Sequence, residues 1–250
     1  LATPFVGGGI AYAIASVLPR EDVPERASVP ALAAVVAVIT VNVEFALLAA
    51  PGEMAPVSVA VATRLPIAPL AGRALVTLAA AGIAVGLVHR DVARNGTDGL
   101  QRFLLVLGGL VAFSAGASQV GLAVGPLVPL GGEAVSVTAL AAGGGVGLLI
   151  GSWTGAPRMI KAVAQDYASM GPRRSIAALT PSFAIAQVAV LLGVPVSFNQ
   201  IVVSAIVGAG AAVGGTDVIG RRKVAVTVTA WVGSFLLAFA LGFGVTTLVP

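Results

Sequence analysis

The chain has 250 residues, 58% of them hydrophobic and only 10% charged. A soluble domain carries about 25% charged residues, so this composition, with a mean hydropathy of +1.03, excludes a water-exposed globular surface. The absence of cysteine excludes disulfides and thiolate metal sites, and the net charge of +4 sits in short gaps between apolar runs, which points to inner membrane loops and to no nucleic-acid partner.

Residues 1–18 (LATPFVGGGIAYAIASVL) predict a membrane helix that opens in the middle of an apolar run. It lacks the basic region and cleavage site of a signal peptide, and an upstream part of the natural protein is expected. A charged gap with Arg20, Glu21, Asp22, Glu25 and Arg26 leads to a second span over 31–50. Residues 51–73 are Pro-rich, carry Arg64 and Arg73, and read equally as an interfacial loop or a short re-entrant piece. The third span is 74–89, and the polar gap HRDVARNGTDGLQR separates it from the fourth, 103–123. Ser, Gly and Gln interrupt that fourth span over 114–121.

A gap without Lys or Arg, 124–133, precedes a Gly-rich fifth span, 134–155. The mixed stretch PRMIKAVAQDYASMGPRR then begins as an amphipathic helix. Two weaker apolar pieces, 175–193 and 200–214, are joined by GVPVSFN, and 224–249 is the final span. Runs of about 18–25 apolar residues match a bilayer core. The 32 glycines suit helices that must approach closely where lipid supplies no hydrophobic drive. Trp153 and Trp231 are the expected interfacial aromatics.

Orientation follows from arginine and lysine. Arg90, Arg94 and Arg102; Arg158, Lys161, Arg173 and Arg174; and Arg221, Arg222 and Lys223 all belong inside. The pair around GVPVSFN must then leave and re-enter the same side, the last span ends outside, and the first ends inside. Residues 1–19 can be laid without a gap on 232–250, Tyr12 falling on Phe243 and both stretches stopping at Pro. Similar helices of opposite orientation are what an inverted-repeat transporter contains. On this reading residues 1–18 are the last helix of a first repeat.

Two stretches break the apolar pattern at membrane depth. In 112–127 (AFSAGASQVGLAVGPL), Gly116, Gly121 and Gly125 loosen the helix while Ser114, Ser118 and Gln119 supply polar atoms. Unwound backbone is tolerated there only when buried in protein or lining a cavity. A broken helix that holds a solute and a Gly/Ser packing seam are equally consistent with these residues. In 193–210 (GVPVSFNQIVVSAIVGAG), Pro195 ends one helix, and Ser197 and Asn199 fit the first turn of the next. A helix N-terminus offers free N–H groups to an oxyanion, and a hairpin dipping into the membrane fits the span count.

These stretches resemble the PiT-type inorganic phosphate transporters. The family's second signature reads approximately A-F-x-H-G-A-N-D-V-A-N-A-x-G-P-L, to which 112–127 is similar. Its second hairpin reads G-L-P-V-S-T-T-H-x-L-V-G-A-I-x-G, to which 193–208 is similar. The family's Asn-Asp pair falls on Ser118 and Gln119, its His residues on Ala115 and Gln200, and its two Thr on Phe198 and Asn199; Ser197 is kept. The resemblance implies an all-α polytopic transmembrane bundle, an inverted-repeat transporter with broken helices and a re-entrant hairpin, divided into the end of a first repeat plus a connector helix (1–50), a connector with one further span (51–102) and a second repeat (103–250). It implies multi-pass residence in the cell membrane, no enzymatic reaction and no cofactor beyond a coupling sodium ion or proton.

The implied function is cation-coupled phosphate transport. Its partners would be inorganic phosphate, the lipid bilayer and an N-terminal repeat of the same protein, with a homodimer left open. Ser118, Gln119, Ser197, Asn199 and Gly116 are the implied substrate-binding positions, and Ser114, Gln200 and Glu44 the candidates for cation coupling. Rival readings are a carrier or facilitator of another small anion and a non-transporting membrane scaffold or receptor. Glu44 lies within the second span beside Asn42, where a carboxylate is either a proton or cation partner or a group near the outer interface. His89, the single histidine, adjoins Arg90 and reads as an interfacial cap. No metal cluster, P-loop or nucleophile elbow is present.

Overall fold

The computed structural model describes residues 2–18, 25–45, 55–131, 135–161, 166–168, 170–194 and 196–248. They form ten α-helices: α1 (Thr3–Val17), α2 (Glu25–Asn42), α3 (Val57–Ala62), α4 (Pro69–Asn95), α5 (Thr97–Val124), α6 (Val128–Gly131), α7 (Val137–Lys161), α8 (Pro172–Leu191), α9 (Phe198–Gly214) and α10 (Arg221–Leu248). Five of them, α4, α5, α7, α8 and α10, are long and apolar enough to cross a membrane; α1, α2 and α9 are shorter apolar helices. The chain is thus an all-α bundle of the membrane class. Two-residue strands at Glu44–Phe45 and Ala55–Pro56 pair antiparallel and are its one described sheet.

α8 lies at the centre and packs against α1, α5, α9 and the edge of α2. More than half of its apolar window is buried, against none in α7 and α10. The partners divide into two groups. α2 and α4 form one close pair and α1 and α9 another, and α8 joins them.

The ends of these helices test the charge-based orientation. One cavity of about 500 Å3 is bordered by Ala15 and Leu18 from the end of α1, Thr97 and Leu100 from the start of α5, Pro172 and Arg174 from the start of α8, and Val213 from the end of α9. These are the ends that the arginines assign to the inner side. His89 Nδ1 lies 2.7 Å from the carbonyl of Arg26, joining the inner ends of α4 and α2, so the histidine serves as the expected cap. Arg102 pairs with Asp91 at 2.8 Å beside the α4–α5 turn. Gly96 makes that turn with φ of 51°, a left-handed conformation that suits glycine. Lys223 lies 3.7 Å from Asp166 where α10 begins.

The opposite end is tied by Asn42. Its Oδ1 accepts from Ser58 Oγ at 2.9 Å and from Arg73 Nε at 3.0 Å, and its Nδ2 donates to Thr77 Oγ1 at 3.1 Å. This network fastens the Pro-rich connection and its short α3 to the ends of α2 and α4. It also corrects the second span, which was expected to run through residue 50: α2 ends at Asn42, and residues 46–50 lie outside the described residues.

α1 and α9 run parallel and touch through small residues. A Cβ on Gly7 would lie 3.2 Å from Ser204 Oγ, one on Gly8 3.1 Å from the Ser204 carbonyl, and one on Gly208 would strike the Gly8 backbone. Lipid tails give such a pair no hydrophobic reason to associate, so close backbone contact is what holds it. Gly208→Val should therefore lower the thermal unfolding midpoint in detergent, by the equivalent of about 1–3 kcal/mol for an overpacked site. Gly233→Val on α10, where nothing lies within 4 Å, should leave the midpoint unchanged.

Candidate functional site

The α8–α9 connection is a built hairpin tip. α8 stops because Gly193 takes φ of 65°. The Val194 N–H then returns to the Ala189 carbonyl at 2.8 Å and the Gly193 N–H to the Val190 carbonyl at 3.0 Å, the pairing of a Schellman cap. Pro195, expected to end the first helix, lies outside the described residues. Ser197 is the N-cap of α9: its backbone is extended and its Oγ accepts from the Gln200 N–H at 3.5 Å. The first-turn N–H groups of Phe198 and Asn199 are left without intrahelical acceptors, as at any helix start. Both feet of the hairpin, at Pro172 and Val213, border the inner cavity, so the pair leaves and returns on one side.

α5 meets α8 through one polar contact. Gln187 Nε2 donates to Ser114 Oγ, and Gln187 is 8% exposed. α5 and α8 both run away from the inner cavity, so Ser118, one turn past Ser114 on the same stripe, stands on the tip side of this link. Gly116 and Ser118 are half-buried.

Gln119 and Glu44 are not brought to this place. Gln119 is five residues from Ser114, about 140° around the helix. It borders a groove of about 750 Å3 between α5 and the glycines Gly143, Gly144, Gly147 and Gly151 of α7. Asn199 is exposed, and half-buried Gln200 lies a turn before Ser204, whose Oγ donates back to its carbonyl at 2.7 Å. Glu44 lies beyond the end of α2, exposed, in the strand paired with Pro56. The expectation of a carboxylate inside a span is corrected accordingly, because the helix closes two residues earlier on the Asn42 network.

The expected break in α5 is corrected as well. The helix stays regular through Ser114, Gly116, Ser118 and Gln119 to Val124, and the change to a 3-10 turn comes at Gly125–Leu127. A glycine in a helix loses to water-solvated alternatives; in an apolar surrounding none is offered, and Pro126 is the first residue that cannot extend the ladder.

Among the described residues no group of three or more His, Cys, Asp or Glu is placed to hold a metal ion. No ionisable side chain lies between Arg102 and Glu133, or between Arg174 and Asp217. The polar side chains of the tip are therefore neutral, those of Ser197, Asn199 and Gln200, and they stand beside exposed Leu191, Leu192 and Val194. These groups offer dipoles and no titratable side chain.

Comparison with known proteins adds what geometry alone lacks. The profile described as the phosphate transporter family matches residues 1–242. The chain belongs to the phosphate transporter family. Neither the curated proteins nor the solved structures searched contain a match to it. Membership in this transporter family agrees with the resemblance read from 112–127 and 193–208, supports phosphate transport as the function, and sets enzymatic catalysis aside.

Sequence reasoning missed Gln187. The signal available was a lone carboxamide in an apolar helix seven residues after a buried threonine, so that both share one face.

A double-mutant cycle on Ser114→Ala and Gln187→Leu, read by denaturant unfolding in detergent, should give a coupling of about 0.6–1.7 kcal/mol, the range measured for hydrogen bonds between membrane helices.

Proposed function

We propose that this transporter moves inorganic phosphate across the membrane by alternating access, coupled to a cation, with the oxyanion held by neutral donors near the α8–α9 tip. The observation that carries the reading is the Ser114–Gln187 link, which brings the polar turn of α5 beside the helix that leads to Ser197. We assign Ser118 on α5, together with Ser197 and the first-turn N–H groups at the start of α9, as the oxyanion's donors, with Asn199 and Gln200 on that same first turn of α9. The positive end of the α9 dipole favours an anion there.

Sodium is the better candidate for the coupling ion. A proton needs a titratable group, and the helices that form the tip have none between Arg174 and Asp217. Sodium is held by carbonyl and hydroxyl oxygens, which these helices do contain.

Phosphate uptake into proteoliposomes of the full-length protein checks both parts. Uptake should rise with an inward sodium gradient and be indifferent to a pH gradient at fixed phosphate ionisation. Ser197→Ala should lower the uptake rate by about tenfold, the cost of one charge-assisted hydrogen bond of roughly 1.5 kcal/mol. Uptake that ignores both gradients would leave a facilitator. Absence of uptake and of phosphate binding would favour the scaffold reading.

A further inference from the structure

The middle of α8 contains a pair of oxygens for which phosphate binding at the tip has no use. Thr180 is only 3% exposed, and its Oγ1 has no hydrogen-bond partner. The next residue, Pro181, lies inside the helix and has no N–H to give to the carbonyl of Ala177. Ala177 is 0% exposed, so water does not replace that donor from outside. Helical side chains lean back over the preceding turn, which sets the hydroxyl of Thr180 and the carbonyl three residues earlier on one side of the helix.

Ser182 shows what a buried hydroxyl in this helix ordinarily does. It is 0% exposed, and its Oγ donates to the Ala178 carbonyl at 2.7 Å. Thr180 makes no such bond, although the same helix offers it carbonyls. Buried polar groups are nearly always satisfied, and an exception asks for a bound water or ion.

The chemistry of the pair selects the guest. A carbonyl oxygen and a hydroxyl oxygen are neutral, hard donors, the kind that broken transporter helices present to sodium. A divalent ion would call for carboxylates, and the segment from Ser175 to Thr216 contains none. Thr180 shares a stripe with Gln187 and lies about 10 Å from it along the axis, toward the inner cavity. A cation there would sit on the inner side of the phosphate position and lend it positive charge.

We propose that Thr180 Oγ1 and the Ala177 carbonyl form part of a sodium-binding site built into α8 by the Thr180–Pro181 step. This deepens the cation-coupled reading, but it is tested by binding and stands apart from uptake.

The test is the thermal unfolding midpoint of the full-length protein in detergent, titrated with sodium chloride against choline chloride at constant ionic strength. The wild type should show a sodium-dependent rise. Thr180→Val keeps the shape and removes the hydroxyl; it should fold at least as well in choline and lose the rise. Thr180→Ser should retain it. Pro181→Ala gives Ala177 its amide donor back and should shift the sodium dependence at least tenfold to higher concentration, which keeps the test decisive should Thr180→Val fail to accumulate.

No rise in the wild type, or an undiminished rise in both Thr180→Val and Pro181→Ala, would overturn the site. So would a Thr180→Val midpoint that falls equally in both salts with the rise intact, since the hydroxyl would then hold water. An intact sodium response in a protein that takes up no phosphate would sink the transport reading and leave the site standing.

Discussion

A bilayer offers its proteins no competing hydrogen-bond partner, and every feature of this bundle follows from that restriction. Apolar side chains gain nothing by leaving lipid for protein, so the helices are held by close backbone approach and by the few polar groups that find each other. The α1–α9 seam of Gly7, Gly8, Ser204 and Gly208 supplies the first kind of contact. The Asn42 network and the Ser114–Gln187 bond supply the second. α8 is the helix that unites them, being the one long span among the described residues that is mostly buried.

The same restriction explains why α7 and α10 are so bare. Trp153 is 79% exposed and Phe239 66%, and α10 presents large side chains on all sides. In water this would be a defect. In lipid it is the resting condition of a helix whose polar backbone is satisfied along its own length. These helices therefore say little about function, while the buried, polar-studded α8 says most.

Much of this was legible in the chain before any coordinates. Eight apolar runs correspond to the five long and three shorter apolar helices, because run length is a direct measure of what crosses a bilayer. The arginine rule put the ends of α1, α5, α8 and α9 together, and they border one cavity. What was not legible depends on tertiary partners. The end of α2 is decided by Asn42 meeting Ser58 and Arg73, residues far along the chain. The helix around Gly116 stays closed because nothing polar competes for its backbone. Gln187 carries no motif; its meaning comes from Ser114 on another helix. Gln119 was grouped with Ser118 by adjacency, yet a helix turns neighbours to different faces, and Gln119 looks toward α7.

A phosphate carrier faces a particular difficulty here. At the proposed site the anion would leave water for a hairpin whose own side chains bring no positive charge, since no arginine or lysine lies between Arg174 and Arg221. Dipoles alone hold a divalent anion poorly once water is withdrawn, because the desolvation cost grows with the square of the charge. The positive end of α9 offsets part of it. A sodium ion held beside the same stripe of α8 would offset more, and it would be present only when sodium is abundant on the loading side. Under the proposed coupling, the lack of a cationic side chain near the tip would make the ion the anion's one partner of opposite sign, so that each solute would depend on the other to cross.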